Sequence, residues 1–160
     1  MDLLLAVLQA ITTLAVVATF VVYAGQLKAM REQLDAVRDS SAAQNLIAVI
    51  DLLQEPEVRE ARRVVLVDLR LKPLDEWTAE DKRQAAIVYS SYDMAGMLIE
   101  TDIVPGGIVL ENWGPSITGC HSVLEPYLKQ LSAELPGAKY GQHLRWLRDH
   151  VQLRLATGDA

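Results

Sequence analysis

The chain has 160 residues, of which 51% are hydrophobic and 22% charged, with a formal net charge of −6. That balance is globular, not disordered, and the acidic surplus argues against nonspecific nucleic-acid binding, which needs concentrated Lys and Arg to neutralise phosphate. A single cysteine, Cys120, excludes a disulfide framework and suits a reducing compartment.

Leu3 to Ala24 reads LLLAVLQAITTLAVVATFVVYA, 22 residues without a charge. As a helix the run spans ~33 Å, against a hydrocarbon thickness of ~30 Å. A lone segment in lipid satisfies its backbone only as a helix. The sequence therefore predicts a transmembrane helix over 1–25. No Lys or Arg precedes the run and no A-x-A site follows it, so it reads as an uncleaved anchor, not a secretory signal. Asp2 precedes the run, whereas Lys28, Arg31 and Arg38 follow it. The positive-inside rule then places the N-terminus outside and the remaining chain in the cytoplasm.

The polar residues of this run are Gln9, Thr12, Thr13, Thr19 and Tyr23. On a helical wheel they fall within about 120° of one another. In lipid such a stripe gains by facing another helix or water, which makes these five residues candidates for a helix interface or a pore lining. The alternative is that the threonine hydroxyls bond back to their own helix.

Residues 26–39 continue from the anchor. Leu27, Met30, Leu34 and Val37 recur at the spacing of a short coiled coil and form a candidate oligomer seam. Ser40 and Ser41 break the pattern, and a cytoplasmic helical domain is expected over 40–157, long enough for a real core. Within it, Leu46 to Leu53 is a strongly apolar stretch ending before Pro56. Glu57 to Leu71 reads as a helix stopped near Pro73. Thr78, with Asp81 three residues on, resembles a capping box opening a long helix to about Glu100, with Ile87, Tyr89, Met94, Met97 and Leu98 supplying much of its buried side. Pro105-Gly106-Gly107 breaks the chain. A helix over Ile108 to Leu131 carries Gly114-Pro115 and Pro126, which predict a kink or a split. After the Pro136-Gly137 turn, a last helix from about Lys139 to Leu155 carries Tyr140, Leu144, Leu147 and Val151 on one stripe. No segment alternates with period two, so the fold class is all-α.

Catalytic signatures are sparse. The chain has no G-x-x-x-x-G-K-[ST], G-x-G-x-x-G, H-E-x-x-H or G-x-S-x-G motif. Three histidines and one cysteine give no zinc set, so no cofactor or metal is expected and Cys120 reads as a packing residue. Glu100, Asp102 and Glu111 read as helix-end charges. Arg59, Arg62, Arg63 and Arg70 form a basic strip among Glu55, Glu57 and Glu60, the pattern of a solvated face with short-range ion pairs; lipid headgroups or RNA phosphate are its alternative contacts. RWLRDH, Arg145 to His150, matches R-x-x-x-x-H, a form of the motif of the all-α HEPN domains. There an arginine steadies phosphate while an imidazole moves a proton. Arg145 and His150 are the candidate catalytic residues. Five residues apart on a regular helix is about 140°, so the two diverge unless the helix is distorted. Asp149, four residues after Arg145, is placed to pair with it.

The order of one N-terminal membrane helix, QLKAMREQL, and a helical domain with YDMAGMLIETDIVPGG and ENWGPSITGCHSVLEPYL resembles a family of small bacterial single-pass membrane-anchored helical proteins defined as a domain of unknown function. The resemblance rests on hydrophobic spacings around Tyr92, Asp93, Ile103 and Trp113 and implies the fold without a reaction. With RWLRDH, the same plan resembles the small CRISPR-associated membrane proteins of type VI-B RNA-targeting systems. That resemblance implies a HEPN-like cytoplasmic bundle, assembly into a membrane pore and a part in antiviral defence at the bacterial inner membrane. The leading expectation is a homo-oligomeric ring or pore that perturbs that membrane, more a non-enzyme than an enzyme. Its partners would be the bilayer, further copies of the chain, and an RNA or an effector protein. A membrane-tethered HEPN-type ribonuclease and a non-catalytic scaffold that recruits a partner are the alternatives.

Overall fold

The computed structural model describes the backbone of residues 2–157 and the side chains of residues 9, 14 and 19–157. Among the described residues there are five helices, α1 (Asp2–Gln54), α2 (Pro56–Val67), α3 (Ala79–Glu100), α4 (Gly106–Glu134) and α5 (Gln142–Thr157), with short 3-10 turns at Leu69–Leu71 and Leu74–Glu76. No strand occurs among the described residues, and the all-α class stands. Among the described residues no helix is long and apolar enough to cross a membrane; of the uncharged run over 3–24, only Gln9, Leu14 and residues 19–24 have described side chains.

The chain divides into two units between Ser41 and Ala42. The first consists of α1 up to Ser41. Ser40 and Ser41, where the heptad pattern stops, lie inside this helix, which runs on to Gln54; serine costs only a fraction of a kcal/mol inside a helix and Ala42 and Ala43 follow at once. Pro56 then ends it and opens α2 at a position where its missing amide is harmless.

The second unit buries its core along helical stripes. On α2 the buried positions are Val58, Ala61 and Val65. On α4 they include Val109, Trp113, Ile117, Cys120 and Leu124, and on α5 Leu144, Leu147 and Val151, the expected stripe. α2 packs on α3 and α4, and α5 on both α3 and α4. α3 corrects the expectation. Its buried line is Ala85, Val88, Tyr92, Ala95, Gly96 and Ile99, whereas Met94 and Met97 are 53% and 42% exposed. Ile87, Tyr89 and Leu98 are partly buried against the core as expected, but the fully buried line is drawn largely from smaller residues, which let the neighbouring helices approach. The expected helix over Glu57 to Leu71 also ends earlier, at Val67, and continues as a 3-10 turn.

Polar groups close the ends of the helices. Thr78 and Asp81 form both bonds of the capping box at the start of α3. Asp81 also accepts from the Lys72 ammonium, and the Lys72 carbonyl accepts from Trp77 Nε1 at 3.1 Å. Trp77 stacks at a tilt on Tyr127, with ring centroids 5.5 Å apart. The segment between α2 and α3 is thereby tied to α3 and α4. Arg62, expected on a solvated face, turns inward instead. It donates to the Leu53 carbonyl at 2.7 Å, filling one of the orphan acceptors at the end of α1, and to the Tyr92 hydroxyl at 3.3 Å. Tyr92 in turn donates to Ser116 Oγ at 2.8 Å. Arg63 follows the bland pattern, pairing with Glu60 and Asp68.

Candidate functional site

In the first unit, residues 27–37 of α1 present the expected apolar seam to solvent. Leu27, Met30, Leu34 and Val37 are 57%, 57%, 66% and 63% exposed. Single exposed leucines are ordinary on a protein surface, but four at coiled-coil spacing form a continuous face without a partner in this unit. Lys28 and Glu32 pair at 3.9 Å away from that line. N-terminal to it, Phe20 and Tyr23 are also exposed, and Thr19, Val22, Tyr23 and Gln26 line a shallow recess of about 380 Å³. Gln9 and Thr19 are exposed, each with a polar interaction of its own. The side chains of Thr12 and Thr13 lie outside the described residues.

In the second unit, α5 carries Arg145 and His150 on a regular helix. Arg145 is exposed. His150 stacks on Trp146, centroids 3.8 Å apart, and its Nδ1 lies 2.9 Å from the Trp146 carbonyl oxygen. The imidazole is thus turned to its own helix, and no hydrogen bond joins it to Arg145 among the described residues. The pairing expected between Asp149 and Arg145 is not formed. Asp149 accepts from Arg148 Nε at 2.6 Å instead, since a neighbouring guanidinium reaches it directly.

Arg145 is one of several charges around a different histidine. His121, on α4, is 3% exposed. Burial first, then the Arg148 and Arg145 charges, lower its proton affinity, while Glu125 and Asp149 oppose them. The adjacent Cys120 lies in the core, and burial pushes its thiol up to about 12, against a hydrogen bond from Ser116. A thiol so held is neither a nucleophile nor a metal ligand at neutral pH. No group of three or more His, Cys, Asp or Glu residues able to hold a metal occurs among the described residues.

Two further features were not read from the sequence. Asp93, on α3, accepts from the His143 and Leu144 amides at the start of α5, at 2.8 and 3.0 Å. Glu100 lies 2.7 Å from His143 Nδ1, so two carboxylates of α3 hold the same helix terminus. The signal was present in the spacing Asp93, Gly96, Glu100, which lies along one side of a helix, but nothing local announces a cap 50 residues away. The second feature is a half-open recess of about 500 Å³ between α4 and α5, bounded by Leu110, Gly114, Pro115, Gly119, Val151 and Leu155. Pro115 and Pro126 lie within α4 without dividing it; each removes the amide that would bond the carbonyl four residues earlier, those of Glu111 and Ser122. Both of those residues also line the recess. Arg154 at its edge donates to the Gly107 carbonyl at 3.1 Å. The recess is mainly apolar, with Glu111 and Arg154 as its charged lining residues.

The family model described as Domain of unknown function (DUF4760) matches residues 3–151. The chain belongs to this family. No curated protein and no solved structure matches it. The DUF4760 match spans the uncharged run, the seam, the Asp93 cap and the RWLRDH segment.

Proposed function

We propose that this DUF4760 protein is a homo-oligomeric membrane protein whose α1 anchors it in the bacterial inner membrane, with the C-terminal domain in the cytoplasm, and whose copies assemble into a ring or pore that perturbs that membrane. The observation that carries the reading is the sequence of α1. Its 22 uncharged residues from Leu3 to Ala24 pass directly into the exposed seam of Leu27, Met30, Leu34 and Val37. The first half suits lipid and the second asks for neighbouring helices. The polar stripe of Gln9, Thr12, Thr13, Thr19 and Tyr23 supplies the face that partner helices or water would meet. The HEPN-like character of the domain and a role in antiviral defence rest on the resemblance of the overall plan to CRISPR-associated pore proteins.

The test is the protein mass of the detergent-solubilised full-length chain, followed by membrane potential in cells that express it together with its trigger. A closed assembly of six or more chains and depolarisation are expected. A monomer in detergent, or an assembly that leaves the potential unchanged, would remove the pore. Changing Gln9, Thr12 and Thr13 together to Leu is expected to alter the assembled mass.

A further inference from the structure

The seam on α1 is flanked asymmetrically, and the asymmetry fixes the direction in which copies can pair. With Leu27 and Leu34 at a positions and Met30 and Val37 at d positions, the e positions are Arg31 and Arg38 and the g positions Gln26, Gln33 and Ser40. All five flanking side chains are exposed. One edge of the seam is therefore cationic and the other neutral and polar, while the Lys28–Glu32 ion pair occupies the outer b and f positions. Extending the register backward puts Phe20 at a and Tyr23 at d, both exposed; in sequence it reaches Thr13 and Gln9. The apolar seam and part of the polar stripe thus follow one line along the helix.

We infer that the seam is covered by a second copy of this chain running parallel and in register. In a parallel pair each g position meets the e position of the following heptad on its partner. Gln26 then faces Arg31 and Gln33 faces Arg38, two pairs in which an amide oxygen can accept from a guanidinium. In an antiparallel pair e meets e, so arginine faces arginine, and like charges at such close flanks are destabilising. Avoidance of the arginine–arginine contact, with amide–guanidinium hydrogen bonds in its place, thus selects the parallel arrangement without reference to the membrane. The inference rests on the proposed self-association, and insertion of every anchor with the same topology imposes the same direction.

The experiment uses the full-length chain in detergent with Met30→Cys. At a d position of a parallel in-register pair, the two Cα atoms come within disulfide reach, and the buried Cys120 stays out of the reaction. Mild oxidation is expected to join Met30→Cys chains to one another. A mass-tagged Leu34→Cys chain mixed with Met30→Cys is expected to give no mixed disulfide. Gln33→Glu, which places a carboxylate beside Arg38 of the partner, is expected to tighten association by about twofold or more per interface. Mixed disulfides between Met30→Cys and Leu34→Cys, or weaker association of Gln33→Glu, would establish the antiparallel pairing and overturn the inference while self-association stands. An assembled mass without any cross-link would place the interface elsewhere and also overturn it. A monomer would remove both readings.

Discussion

The carboxylate of Asp93 accepts from the backbone amide of His143 at 2.8 Å, across 50 residues of sequence. A helix leaves its first amides without partners, and a carboxylate satisfies them with charge-assisted bonds in favourable alignment with the helix dipole. The residue before α5 is Gly141, which has no side chain with which to cap it, and α5 buries Leu144, Leu147 and Val151. Asp93→Ala is expected to lower the unfolding free energy by about 1–3 kcal/mol. Asp93→Asn keeps an acceptor and should lose less. Urea unfolding of the full-length protein followed by tryptophan fluorescence reports this, and an alanine variant as stable as the parent would remove the cap from the account.

Gly96 lies one turn further along the same face of α3. A Cβ built there would stand 2.6 Å from the His143 carbonyl oxygen, a backbone atom that cannot swing aside. Alanine is favoured over glycine inside a helix by about 1 kcal/mol, so a substitution that only extended the helix would stabilise. Gly96→Ala is expected to destabilise instead, by at least about 1 kcal/mol net, because overpacking outweighs propensity. Gly107→Ala is the control. The nearest atom to its added carbon is the end of the flexible Arg154 side chain at 4.0 Å, and that variant should be neutral or slightly more stable.

These two positions mark the limit of what could be read from the sequence. The helical nature of the chain after Pro56, the capping box at Thr78 and the inner stripe of α5 were legible, because each depends on residues within a few turns of one another. The inner face of α3 was legible only in part, at Ile87, Tyr89 and Leu98. Its closest approach to α5 is set by Gly96, whose value lies in the space it leaves for the His143 backbone. Arg62 was likewise misread as part of a basic strip, since only the folded chain brings the Leu53 carbonyl and Tyr92 within its reach. For the candidate site, the spacing of Leu27, Met30, Leu34 and Val37 was visible in the sequence, and the fold leaves all four exposed. The motif of Arg145 and His150 was visible, but the stack of His150 on Trp146 was not.

His121 and Asp81 are expected to make the fold acid-sensitive in separate pH ranges. His121 is buried with its proton affinity lowered, whereas an unfolded histidine titrates near ~6.5. Below that pH the unfolded chain binds a proton that the folded chain resists, so stability falls as pH drops. Asp81 is held at about 2 by its bonds to Lys72 and to the Thr78 amide and hydroxyl, against ~3.9 when unfolded. Its contribution is complete above about pH 4 and is lost as pH falls through about 2. The melting temperature is therefore expected to decline first below about pH 6.5 and again below about pH 4. His121→Leu should flatten the first decline and Asp81→Asn the second. A melting temperature constant from pH 7.5 to 5 would mean that His121 takes up its proton freely in the fold.

The last prediction separates the pore from a tethered ribonuclease. For the ribonuclease, the Arg145 guanidinium and the His150 imidazole must converge on one phosphate, within a chain or between paired chains. On α5 they stand about 140° apart around the helix axis, and His150 Nδ1 already lies against the Trp146 carbonyl, which leaves only Nε2 for a substrate. Arg145→Ala and His150→Ala are accordingly expected to leave the assembled mass and the membrane depolarisation unchanged, and the purified parent protein to leave single-stranded RNA intact. RNA cleavage by the parent that both variants abolish would reverse this assignment, because it would require the paired domains to bring the two side chains together in trans and would make the α5 face, not the α1 seam, the working surface of the molecule.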